Sequence, residues 1–125
     1  MLPKSERLKE KYLFNLAFKK RQKLSSNLLS LYYLFNRKDI NELPKTAFIV
    51  GVRIDKKSNI RNLIKRRMRA AYQLIRKTLF SLEKDKNKLC FISVLIWIAN
   101  PSIKNATFEQ IKSVMEGLLR KLLKG

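Results

Sequence analysis

Residues 59–82, NIRNLIKRRMRAAYQLIRKTLFSL, contain no glycine or proline, and their apolar side chains recur every three or four positions. At 3.6 residues per turn Ile60, Ile64, Met68, Ala71, Ile75 and Leu79 share one face, which predicts an amphipathic helix of about six turns. Ser58 or Asn59 can cap its start, and the charged segment 83–88 ends it. With one side held by the core, the charged side becomes a fixed ridge. Arg61, Lys65 and Arg69 fall on one line and Arg76 returns to it two turns later, with Asn62, Arg66 and Gln73 alongside.

A charged helix face usually does no more than keep a helix wet. This one departs from that pattern. Like charges at i,i+4 repel, each pair costing a few tenths of a kcal/mol, and no Asp or Glu occurs between 56 and 82 to offset them. Four of the five cations between 61 and 69 are arginines, whose planar fork suits bidentate contact with phosphates and base edges. Arg53, Lys56 and Lys57 approach the helix N-terminus, where backbone N–H groups add their own attraction for an anion, so that junction is a second candidate phosphate site.

Outward from this helix the chain alternates. Pro3 and Ser5 offer a start for a first helix carrying Leu8, Tyr12, Leu13, Leu16 and Phe18, about three to four turns long. After the basic run 19–23, Asn27 to Phe35 reads as a strand, and residues 36–45 form a polar connection. Ala47 to Ile54 reads as a second strand, expected to pair antiparallel with the first. Leu89 to Ala99 is apolar at nearly consecutive positions, as in a strand covered on both faces. Asn100-Pro101 stops it, and Thr107 to Leu123 forms a closing helix with Glu109 in its first turn. The order helix, strands, helix, strand, helix defines an α+β chain, with 1–125 a single domain.

Nine acidic residues stand against 29 Lys and Arg, a net charge of +20 that opposes compaction and calls for an anionic partner. Nucleic acid fits best, because each phosphate contact releases condensed counterions. An anionic membrane surface is the competing partner, but the apolar helix faces are needed by the core. The apolar run at 89–99 is too short to span a bilayer, which takes about 20 residues. The N-terminal stretch lacks a signal-peptide apolar segment, so a cytoplasmic location is expected. Cys90, the only cysteine, lies in that apolar run and reads as a small core residue.

Phe14 and Phe18 precede the basic run, and Tyr32 and Tyr33 follow it on the next strand, where one must face each side of the sheet. Aromatics beside cations can stack the bases of single-stranded RNA, though such rings also simply fill cores. Protein catalysis has little to work with: the chain has no histidine, few scattered carboxylates, no Cys/His cluster for zinc and no Gly-rich phosphate loop. No catalytic residue and no metal ligand are therefore expected on the protein.

The ordered set Arg61, Asn62, Lys65, Arg66, Arg69, Ala71 and Tyr72 resembles the signature R-N-R-x-K-R-x-x-R-x-A-F/Y of the protein subunit of bacterial ribonuclease P. The likeness runs along nearly the whole chain. MLPKSERLKEKYLFNLAF looks like that family's first helix, Leu28 to Leu34 and LCFISVLIWIANP like two of its strands, and TFEQIKSVMEGLLRKLL like its last helix. Leu63 stands where the family has its second arginine, so that contact is either lost or taken over by Arg67. VRIDKKSNI keeps cations at Arg53, Lys56 and Lys57 without the family's glycine.

The resemblance implies an αββαβα sandwich, ribosomal protein S5 domain 2-like, with a left-handed crossover through the basic helix. It also implies a division of labour: a catalytic RNA performs Mg²⁺-dependent removal of the 5′ leader of precursor tRNA, the metal ligated mainly by RNA, while a monomeric protein that is inactive alone binds that RNA and the leader. By the same resemblance Arg61, Asn62, Lys65, Arg66 and Arg69 contact the catalytic RNA, and Phe14, Phe18 and Tyr32 line the leader cleft. A ribosomal-type structural RNA-binding protein with no catalytic partner is the alternative.

Overall fold

A computed structural model describes residues 7–8, 11–20, 22–35, 45–80 and 92–124. In chain order these form α1 (Lys11–Lys20), β1 (Lys23–Ser25), β2 (Leu29–Phe35), β3 (Lys45–Ile49), α2 (Ser58–Phe80), β4 (Ile92–Ala99), a 3₁₀ turn (Pro101–Asn105) and α3 (Phe108–Lys124). The strands make one mixed sheet in the order β1-β2-β4-β3.

The expected antiparallel pairing of the strands at 27–35 and 47–54 does not form. β4 lies between them, antiparallel to β2 and parallel to β3, with Leu31 opposite Trp97 and Phe48 opposite Trp97 from the other side. A central β4 explains its near-continuous apolar sequence. Leu95, Trp97 and Ala99 point into the core under α2 and α3, while Val94, Ile96 and Ile98 point to the opposite face, which α1 covers.

Three boundaries also differ from expectation. Arg7 is in an isolated bridge to Thr46, with the Leu8 N–H donating to the Thr46 carbonyl at 3.0 Å, so Leu8 lies outside α1, which spans Lys11–Lys20. The helix start at Pro3 and Ser5 lies outside the described residues. β3 stops at Ile49, and residues 52–54 turn the chain into α2. The short β1, read as part of the basic run, pairs Lys23 with Tyr32. Cys90 and the start of the strand at 89–91 lie outside the described residues, as do 36–44 and 81–88.

α2 and α3 pack on one sheet face through Ile64, Met68, Ala71, Tyr72 and Ile75 from the first and Ile111, Met115, Leu118, Leu119 and Leu122 from the second. Tyr72 is central: its ring packs against Phe48 and Trp97, and its hydroxyl accepts a hydrogen bond from Thr46 Oγ1. α3 opens with a reciprocal cap, in which the Gln110 N–H donates to Thr107 Oγ1 and the Thr107 N–H to Gln110 Oε1. The other face is thinner. The ten residues of α1 leave Tyr32, Ala47, Ile49 and Ile98 only partly covered.

Candidate nucleic-acid interface

The core-facing side chains of α2 fix the direction of its charges. Ile64, Met68, Ala71, Tyr72 and Ile75 are buried, so the helix cannot roll without exposing them. Asn62 and Arg66 are exposed, and Lys65, Arg67 and Arg69 are half-buried. None of Lys65, Arg66, Arg67 and Arg69 pairs with a carboxylate among the described residues; the ion pairs found there are Lys104–Asp55 and Glu116–Arg120. Uncompensated cations on a rigid helix attract a polyanion.

Arg61 has a different local role. Its Nη1 donates to the carbonyls of Asp55 and Lys56 at 2.9 and 2.8 Å, tying the β3–α2 turn to the first helical turn. The Asp55 carboxylate accepts the Lys57 N–H at 2.8 Å and meets Lys104 Nζ at 2.8 Å. The bond to Lys104, then that from Lys57, holds the Asp55 carboxyl below its usual value. The side-chain bond at the entrance to α2 is thus made by Asp55 and not by Ser58 or Asn59. Arg53, Lys56 and Lys57 are exposed around this turn. Leu63, 43% exposed, shares its side of α2 with Arg67 one turn later.

The aromatic candidates divide. Phe18 and Tyr32 meet edge to face with ring centroids 5.0 Å apart, and Lys23 Nζ lies 5.8 Å from the Tyr32 ring. Tyr33 points to the opposite, core face. Phe14 sits elsewhere, in an open groove of about 370 Å³ shared with Lys65 and Arg69 of α2 and with Ala47 and Ile49 of β3. Sequence reasoning missed Lys23 and the β3 floor of this groove. Alternation along 23–25 could have placed Lys23 opposite Tyr32, but no local signal shows which strand lies at the sheet edge.

A basic helix mounted on a sheet, next to a half-open face that displays aromatic rings and cations, defines an RNA-binding α+β protein. The ribonuclease P family model matches residues 2–123, and the chain belongs to that family, as a protein component of an endoribonuclease holoenzyme. The chain is 31% identical over 118 residues to the ribonuclease P protein component of Clostridium kluyveri, covering 92% of each. To that of Alkaliphilus metalliredigens it is 25% identical over 118 residues, covering 94% of each. Its fold is that of the Staphylococcus aureus RNase P protein (TM-score 0.72, 22% identity, 95% and 96% of the two chains) and of the Thermotoga maritima one (0.65, 18%, 92% and 96%).

No helix among the described residues is long and apolar enough to cross a membrane. Nor do those residues include a group of three or more His, Cys, Asp or Glu side chains able to hold a metal ion.

Proposed function

We propose that this chain is the protein subunit of a cytoplasmic ribonuclease P, binding as a monomer to the catalytic RNA and to the 5′ leader of precursor tRNA. The RNA carries the hydrolysis, and Mg²⁺ acts through RNA phosphates. The protein contributes position and charge. Its cations neutralise phosphate repulsion where two RNAs approach, which lowers the Mg²⁺ the assembly needs. The aromatic face beside α1 stacks unpaired leader bases.

The observation that carries this reading is the α2 surface: Lys65, Arg66, Arg67 and Arg69 stand without carboxylate partners among the described residues, on a helix locked by buried Ile64, Met68 and Ile75. The test is reconstitution with the catalytic RNA of the same source and a precursor tRNA at limiting Mg²⁺. Added protein is expected to raise the cleavage rate and tighten precursor binding. If neither changes, the chain is a structural RNA-binding protein and the proposal is wrong.

A further inference from the structure

Asp55 is the only acidic residue between Glu42 and Glu83, and it falls among Arg53, Lys56 and Lys57, the cations of the β3–α2 turn. A bare carboxylate there opposes phosphate binding, either by repelling the phosphate or by drawing a neighbouring cation to itself. It cannot simply swing into water. The side chain is 11% exposed, and its Oδ1 accepts the Lys57 N–H at 2.8 Å. Its Oδ2 meets Lys104 Nζ at 2.8 Å. Lys104 comes from outside the turn, on the 3₁₀ segment that follows β4. That segment is anchored on its own account: Ile103 is fully buried and its N–H donates to the Asn100 carbonyl at 3.0 Å, while Asn100 Nδ2 donates to the Ser26 carbonyl at 2.9 Å. Arg61 covers the backbone of the same turn, through the carbonyls of Asp55 and Lys56. Arg53, Lys56 and Lys57 are left exposed, with no ion pair among the described residues.

We propose that Lys104 is a positioning residue for RNA binding: it neutralises the Asp55 carboxylate, so that the turn at 53–57 offers only positive charge to a phosphate. Lys104 acts through Asp55 and does not itself meet the RNA. Its charge is spent on the protein so that those of Arg53, Lys56 and Lys57 remain for the partner. The inference rests on the functional reading above.

The test measures binding of this chain to the catalytic RNA loaded with its precursor, as log affinity against log salt. Lys104→Gln should weaken binding about fivefold, the factor that corresponds to one partly exposed charge pair. Lys104→Gln combined with Asp55→Asn should return the affinity to within about twofold of wild type, with an unchanged salt slope. The asparagine Oδ1 still accepts the Lys57 N–H but carries no charge. Lys104→Arg, which keeps the charge, should bind as wild type does. Rescue separates this role from a merely structural one, because the double variant lacks the ion pair just as the single one does. The proposal is overturned if Lys104→Gln binds as tightly as wild type, or if the double variant stays as weak as the single. In the second case a slope flattened by about 0.7–0.9 would mark Lys104 as a direct phosphate contact. If the wild-type protein does not bind this RNA, the functional reading fails and this inference falls with it.

Discussion

The direction in which α2 shows its cations depends on which of its side chains are locked inside, and two substitutions separate the possibilities. Met68 is 0% exposed and packs in the cluster with Ile64, Tyr72, Trp97 and Met115, whereas Leu63, in the same helix, is 43% exposed. Met68→Ala removes a buried side chain and leaves a cavity, a change that costs about 2–5 kcal/mol. A domain of this length has a total stability of about 6–19 kcal/mol, so the variant folds but with a large deficit. At about 3–5 °C per kcal/mol for this size, a loss of about 3 kcal/mol lowers Tm by about 10 °C. Leu63→Ala, at the surface, should change stability by no more than about 0.5 kcal/mol. Both are read by urea unfolding at fixed ionic strength, followed by the fluorescence of Trp97, the sole tryptophan, which is fully buried. Equal losses at the two positions would mean that α2 is rotated from the orientation described, and Lys65 and Arg69 would no longer face β3.

Three other outcomes follow from the structure. Because the folded Asp55 carboxyl is held below its usual 3.8, its bonds to Lys104 and Lys57 add stability above the unfolded value and lose it as pH falls through the folded one. Asp55→Asn should therefore be less stable than wild type at neutral pH, with the gap closing on acidification below about pH 4 in denaturation curves. Phe18→Ala should weaken binding of single-stranded RNA by about 1–3 kcal/mol in fluorescence anisotropy titrations, with a minor effect on Tm, since Phe18 is 37% exposed. Thr107→Ala breaks the reciprocal cap with Gln110 and should cost about 1 kcal/mol in urea unfolding.

Much of this architecture was legible in residues 59–82, because a 3.6-residue apolar period and a missing acidic complement are both local signals. The apolar run ending at Ala99 announced a strand covered on both faces, and β4 is that strand. Its partners were not legible. β3 and β4 are adjacent and parallel although α2 separates them in the chain, and nothing between Lys45 and Ile49 distinguishes a parallel neighbour from an antiparallel one. Leu8 was read as part of the first helix, but Arg7 and Leu8 join the sheet edge at Thr46, a tertiary contact that overrides the local helix pattern. The ridge was read as one row for a related reason. Helical spacing put Arg61, Lys65 and Arg69 in line, but only the packing of α2 against β3 shows that Lys65 and Arg69 look into a groove while Arg61 is tied to the preceding turn.

The claim that α2 is a phosphate-binding surface is tested most directly by the salt dependence of binding. The wild-type protein and a variant with Lys65, Arg66, Arg67 and Arg69 all replaced by glutamine would be titrated against the catalytic RNA loaded with its precursor, over about 0.05–0.2 M salt. Four lost phosphate contacts at about 0.7–0.9 each should flatten the plot of log affinity against log salt by about 3. A slope equal to that of the wild type would show that these side chains do not meet phosphate.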